Sequence, residues 1–368
     1  MIERDILVLG GGLVGAAIGY GLQKRGLRIA VLDEGDVAHR ASRGNFGLVW
    51  VQSKGDGFPP YADWARHAAD VWPDFCTELE QRVGFKIGYQ KRGGFSLCFS
   101  EKDFAARANL IKRMHNQQGP KGYDCEMMER ARVEKMMPAI GPDVVGASFC
   151  PHDGHVNPLL LLRALHTALG VDYFNEHRAS AIRARRGGFE VDAGAAVFAA
   201  GRVVLAAGLG NLPLARMLGA ELPIRPQRGQ ILVTERLPAF LDFPMSGVRQ
   251  TVEGTVMLGS SREEVGYDNS IKTDVLKTIT RNAVRAFPLL ARARILRAWG
   301  ALRVLAPDEH PIYQTLGDHA HAIVATCHSG VSLAGAHSET FAGYLAQGGL
   351  PAHFAPFHSR RFDVQAAA

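Results

Sequence analysis

Cysteine is scarce and long hydrophobic runs are missing, and each shortage removes a class of protein. The 5 cysteines, Cys76, Cys98, Cys125, Cys150 and Cys327, lie far apart and form no C-x-x-C pair. Local spacing therefore builds neither a zinc site nor an iron–sulfur cluster, no metal is expected, and reduced thiols of a cytoplasmic protein are. No stretch of about eighteen apolar residues occurs, so no membrane span is expected. The opening MIERDILVLGGG has neither the basic region nor the small-residue cleavage site of a signal peptide. There is no internal repeat and no low-complexity linker. Charge of one sign is not concentrated either: the net charge of +6 is spread along the chain, and the densest run, Arg183 to Arg186, is broken by Ala184. That run reads as a solvated strand end, so no nucleic-acid partner is expected, although an anionic substrate or cofactor would use the surplus.

What remains is the composition of a folded protein, 368 residues with 47% hydrophobic and 21% charged residues, long enough for two closely packed domains. Asp5 to Leu9 (DILVL) is a run of the kind that forms a strand buried on both faces. Gly10, Gly12 and Gly15 follow as G-x-G-x-x-G, enclosing Leu13 and Val14. Leu13, Ala16, Ala17, Tyr20 and Leu22 then continue at helical spacing until Gly26. A second strand, Arg28 to Leu32, ends in the acidic pair Asp33-Glu34.

This strand, turn, helix, strand and acid sequence is the context in which the glycine motif binds a dinucleotide. Gly10 permits the tight turn, Gly12 lets a pyrophosphate approach the backbone, and Gly15 lets helix and strand pack closely. Amides at the helix N-terminus face the phosphates, and Asp33 can accept hydrogen bonds from ribose hydroxyls. The choice between FAD and a nicotinamide dinucleotide rests on later segments. Ala41-Ser42-Arg43-Gly44-Asn45-Phe46-Gly47, running into Leu48, is small enough to pass its backbone along a pyrophosphate and a flavin ring. Arg202 to Gly208 (RVVLAAG) reads as a late returning strand whose end, Ala207-Gly208, passes close to the nucleotide. Both favour FAD.

Four segments then carry a resemblance over nearly the whole chain. RVVLAAG is the first. Pro226-Gln227-Arg228-Gly229-Gln230 is similar to a P-x-x-G-Q strand, and Trp299-Gly300-Ala301-Leu302-Arg303 with Asp308 and Pro311 to W-x-G-x-R...D-x-x-P. The last is His328-Ser329-Gly330-Val331-Ser332-Leu333-Ala334. In this order they resemble the D-amino acid oxidase, glycine oxidase and sarcosine oxidase family of flavoproteins. Arg43 to Gly55 and the CHSGVSLA ending are most similar to the beta subunits of opine dehydrogenases and D-hydroxyproline dehydrogenases.

The resemblance implies a fold of α/β plus α+β class: a Rossmann-like FAD-binding domain from residues 1–85, 150–220 and 300–368, and a mostly antiparallel substrate domain from 86–149 and 221–299. Lys86 to Phe99, Gln230 to Thr234 and Thr255 to Ser260 are the expected strands, with helices near Ala62 to Arg82 and Asp274 to Phe287 flanking that sheet. It implies that Arg303 binds a substrate carboxylate. Arg249 and Gln250 are weaker candidates for other polar groups, for which an ordinary strand surface serves equally well. His328 is either a substrate contact or a structural turn residue. The segment Gly330, Val331, Ser332 and Leu333 is expected to open a helix whose amides face the flavin.

Two departures from the family follow. Arg303 to Asp308 (RVLAPD) has no cysteine to bond the flavin, so FAD should be non-covalent. The position similar to the lysine with which sarcosine oxidases assist oxygen reduction is Met257. Both point to a dehydrogenase acting on a secondary or D-configured α-amino acid, an opine or D-hydroxyproline, partnered by an alpha subunit with its own flavin and by a small iron–sulfur subunit. A peroxide-producing oxidase of glycine or sarcosine type, an FAD subunit kept for assembly or electron relay, and a nicotinamide enzyme are the alternatives.

Overall fold

The computed structural model describes residues 1–35, 41–117 and 122–367. Positions 36–40, 118–121 and 368, which belong to the expected stretches 1–85, 86–149 and 300–368, lie outside the described residues. Strand β1, Ile2–Leu9, lies inside an eight-stranded sheet. It is parallel to β2 (Ile29–Leu32) on one side, with Leu7 opposite Ala30, and to the returning strand Ala196–Leu205 on the other, with Leu7 opposite Val203. The run in β1 does not alternate because both of its faces are covered. Ile6 and Val8 enter one core with helix α1 (Leu13–Gln23), while Leu7 and Leu9 enter another with Phe198 and Leu205. Strands His319–Thr326 and Ile312–Leu316 extend this sheet on one side, and Tyr173–Phe174 ends it on the other. Arg183 lies on a hairpin strand of this sheet, exposed and ion-paired with Asp192 and Glu190, which accounts for the basic run.

The remaining strands are antiparallel. Arg225–Arg236, Val248–Gln250, Thr255–Gly259 and Ile295–Leu305 form a four-stranded sheet, and Gly94–Cys98, Glu126–Glu129 and Gly146–Cys150 a three-stranded one. Phe95, Met128 and Ala147 of the smaller sheet share a core with Leu232, Val256 and Leu258 of the larger. The strand expected over Lys86 to Phe99 narrows to Gly94–Cys98. The chain is thus α/β plus α+β, with a Rossmann-like sheet beside a mostly antiparallel one. Among the described residues no helix is long and apolar enough to cross a membrane.

The two expected flanking helices part company. Thr273–Ala286 does cover the four-stranded sheet, burying Ile279 and Ala283 against Leu232 and Leu258. Helix α2, Pro59–Val83, instead buries Trp64, Ala68, Trp72 and Phe75 in the core that contains α1 and the C-terminal segment. Trp72 Nε1 donates to Ser332 O at 2.9 Å. Its amphipathic pattern identifies the face that is buried, not the surface that buries it.

α1 in turn is pressed against the C-terminal segment. A Cβ on Gly21 would lie 2.1 Å from Ser338 O. Gly21→Val should therefore force a backbone shift and cost about 1–3 kcal/mol, read as a lower urea midpoint with unchanged slope; an unaltered midpoint would show that the two segments part without strain.

Candidate active site

Three chain segments far apart in sequence enclose a channel of about 720 Å³. At its centre is the turn between β1 and α1. Gly10 adopts φ +107°, and a Cβ there would lie 2.5 Å from Ala207 Cα, so the turn rests directly on the end of the returning strand. Gly15 does not face the channel; a Cβ on it would strike Gly10 O at 1.9 Å, which is the close packing the motif requires. Gly12, Leu13 and Val14 line the wall. Gly12 is the N-cap of α1 and offers no capping side chain, and Ser42 Oγ accepts from Leu13 N at 2.9 Å. The α1 N-terminus thus presents its remaining amides and its dipole to the channel.

Asp33 ends β2 almost fully buried. Its Oδ2 accepts from Gly11 N at 2.6 Å and its Oδ1 from Gly35 N at 2.9 Å, so the carboxylate also ties the glycine turn to the neighbouring strand. Glu34 lies beside it on the channel wall, 3.6 Å from Arg178. At the other end stand Ala207, Gly208 with φ +60°, Thr326, Cys327, His328 and Gly330. Thr326 Oγ1 is buried there and has no hydrogen-bond partner. A carboxylate for ribose hydroxyls, an uncapped helix N-terminus midway and an unpartnered hydroxyl at the far end fit FAD laid along the channel.

A smaller cavity of about 210 Å³ adjoins this far end, and Asn45, Leu302 and His328 line both. Arg303, on the strand Ile295–Leu305, donates from Nη2 to Ser260 Oγ at 2.8 Å and from Nη1 to Arg228 O at 3.1 Å. It makes no ion pair among the described residues, and burial pushes its pKa down to about 10. The guanidinium lies across Gly229, where a Cβ would be 2.4 Å from Nη2; no larger residue leaves it room. Phe46, Leu48 and Trp50 supply apolar walls, and Val331 and Ser332 complete them.

The cavity holds a second cation. Lys54 Nζ donates to Ser329 Oγ at 2.7 Å, and Tyr61 donates to the same oxygen at 2.8 Å. Burial pushes Lys54 down to about 8. Its turn is fixed from beneath by fully buried Asp153, which accepts from Val51 N at 2.5 Å and from Gln52 Nε2 at 2.7 Å. Burial, with Lys54 and Arg303 nearby, keeps His328 well below the ordinary histidine range and therefore neutral.

Several sequence expectations need correction here. Arg249 does not reach either cavity: it stands behind Phe46, donating to Phe46 O at 2.8 Å, to Met257 Sδ at 2.7 Å and meeting His155 Nδ1 at 3.3 Å. Gln250 is consumed by backbone, accepting from Phe240 N and Leu241 N and donating to Leu237 O, Pro238 O and Gly254 O. Strand alternation and a bulky Phe46 turn both side chains inward to the protein rather than to the pocket. Arg43 is exposed and lines a separate cavity of about 150 Å³. Asn45 Oδ1 accepts from Gly47 N at 2.7 Å, and Gly47 packs on Val156 O rather than on either cavity. Leu333 is core.

The segment Gly330 to Leu333 is a tight turn, and the regular helix begins only at Ala334–Ala336 before passing into a π-helical turn over His337–Phe341. Leu333 N donates back to Ser329 O, which leaves the Gly330, Val331 and Ser332 amides without an acceptor among the described residues. The turn, rather than a helix dipole, presents these donors. Met257 is buried beneath Arg249, and the cation at this cavity is Lys54, which sequence reasoning passed over. Its signal was a lone lysine in LVWVQSKG, directly after a buried strand and before Gly55 with φ +76°.

Comparison with known proteins agrees with this geometry. The model of the DAO family, described as FAD dependent oxidoreductase, matches residues 5–343. The B subunit of opine oxidase from Rhizobium meliloti is 38% identical over 370 residues, covering 100% of both chains. Among solved structures, glycine oxidase from Geobacillus kaustophilus superposes with a TM-score of 0.87 at 23% identity, over 97% of this chain and 98% of that one. L-proline dehydrogenase from P. horikoshii gives 0.85 at 19% identity, over 99% of each.

Asp33→Ala removes the acceptor of two amides in the channel wall. Hydrogen bonds to a charged group contribute about 1.5–3 kcal/mol, so the FAD dissociation constant should rise by about tenfold to a hundredfold. Retention of FAD on gel filtration at wild-type strength would show that the turn holds without its carboxylate.

Proposed function

Because the chain belongs to the DAO family of FAD-dependent oxidoreductases, we propose that it dehydrogenates the C–N bond of a secondary or D-configured α-amino acid, an opine or D-hydroxyproline. The observation that carries this reading is Arg303, a buried guanidinium on the small cavity whose partners are neutral oxygens only. A buried cation without an anion is an incomplete pair, and a planar guanidinium takes a carboxylate through two parallel hydrogen bonds.

When bound, FAD supplies the acceptor for the hydride that leaves the substrate's Cα. The chain's own work is positional. Arg303 holds the carboxylate, Phe46 and Trp50 exclude water, and neutral His328 adds no charge between cofactor and substrate. The amides of the Gly330–Ser332 turn favour negative charge at the inner end of the channel. The oxidised product is an imine, released or hydrolysed by water.

In this reading FAD is non-covalent, since Arg303 to Asp308 has no cysteine. Residues 1–85, 150–220 and 300–368 serve the cofactor and 86–149 and 221–299 the substrate. The full-length match to one subunit of an opine oxidase supports a catalytic beta subunit of a cytoplasmic hetero-oligomer, beside an alpha subunit with its own flavin and a small iron–sulfur subunit. Lys54 favours one second reading, an oxidase producing hydrogen peroxide, because a cation on this cavity assists oxygen reduction. Strong dye reduction with negligible peroxide would sink it.

Arg303→Ala should weaken substrate binding by about thirtyfold or more, since truncating one partner of a buried charge pair costs about 2–5 kcal/mol. The readout is anaerobic bleaching of the flavin by opines, hydroxyproline stereoisomers, sarcosine and D-amino acids. Bleaching by the variant at wild-type substrate concentrations would refute the carboxylate role and favour an electron-relay subunit.

A further inference from the structure

The small cavity is cationic and has no acidic lining. Among the described residues around it there are two cations, Lys54 and Arg303, and no aspartate or glutamate. The acids nearest Lys54 are engaged elsewhere: Glu309 pairs with Arg262, and Asp153 holds the Val51 and Gln52 groups. Lys54 Nζ makes one hydrogen bond, to Ser329 Oγ, out of the three an ammonium can donate. The two cations come from separate elements, one from the turn after Leu48–Val49 and the other from Ile295–Leu305. Both act on His328, the residue that joins the cavity to the channel, so their positive potentials overlap within one small space.

A single substrate carboxylate neutralises one of them. The other would remain a partly buried charge held only by a hydroxyl, which is the costly arrangement. We propose that Lys54 is a specificity-determining residue that holds a second substrate carboxylate, so that the pocket selects amines bearing a carboxylate on each of their two carbon arms. This rests on the reading of the small cavity as the substrate site. Of the substrates named above it selects the iminodicarboxylic type over a cyclic amino acid with one carboxylate. With two anions matched to two cations, the nitrogen between them gains nothing from a positive charge and binds in the neutral form that hydride loss requires. Lys54, pushed down to about 8, still carries its charge at neutral pH.

The test uses the FAD-loaded protein and pairs of substrates that differ only in the second carboxylate: an N-(1-carboxyethyl) amino acid and the N-ethyl derivative of the same amino acid. Anaerobic bleaching is followed in wild type, Lys54→Met and Lys54→Arg, with the flavin absorption spectrum reporting that each variant is folded and loaded. One charged hydrogen bond corresponds to about tenfold to a hundredfold in binding. Lys54→Met should lose at least tenfold more on the dicarboxylate than on its N-ethyl partner, and Lys54→Arg should recover part of that difference. Equal losses on both members, or loss confined to the oxygen reaction, would overturn the role of Lys54 while leaving the substrate site in place. Bleaching by neither member in wild type would overturn the site reading itself, and this assignment with it.

Discussion

Residue 10 touches residue 207, backbone to backbone, and the rest of the molecule is arranged around that contact. Gly10 has no side chain because the Cα of Ala207 occupies the space. The consequence is that the first turn of the chain and the end of a strand nearly two hundred residues later form one continuous wall. Behind it, Gly15 packs on Gly10 O, which sets the angle at which α1 leaves the sheet and therefore where its N-terminal amides point. Asp33 locks the same turn from the β2 side through Gly11 N. The phosphate-facing helix end, the ribose-facing carboxylate and the returning strand are thus held by one set of close approaches, and a shift in any of them would open the channel.

The second organising feature is electrostatic. The protein keeps its buried acids away from the small cavity and uses neutral acceptors to hold the cations that face it. Arg228, one strand away, is paired with Glu263 and Asp268. Arg262 is paired with Glu309. Arg303 and Lys54 are instead supported by Ser260, a backbone carbonyl and Ser329. A hydroxyl or carbonyl orients a cation without cancelling its charge, so the attraction is left for a ligand. Gly229 belongs to the same design, because its missing side chain is what lets the guanidinium lie flat across the strand.

Arg249 shows the opposite outcome with the same residue type. It is buried with no carboxylate near it, yet it faces a carbonyl, a neutral histidine and a thioether rather than a cavity. Burial lowers its pKa to about 10, and it braces the wall that Phe46 presents to the site. A charged side chain beside a pocket is therefore not the same thing as one within it.

The sequence by itself determined the strand, glycine turn, helix, strand and acid of the first 33 residues and the late returning strand, and it singled out Arg303 for an anion. The elements were legible because they are local: burial on both faces removes alternation, helical spacing repeats over neighbouring residues, and a turn that admits no Cβ demands glycine. Only the tertiary structure decided that α2 packs on the C-terminal segment, that Gly330 to Leu333 is a turn, that Arg249 and Gln250 face inward, and that Lys54 reaches the cavity. Each of these depends on partners remote in the chain, Asp153 lying 102 residues from Val51 and Ser329 lying 275 from Lys54. Periodicity and spacing report which face of an element is buried; they carry no information about which surface, brought from elsewhere, will cover it.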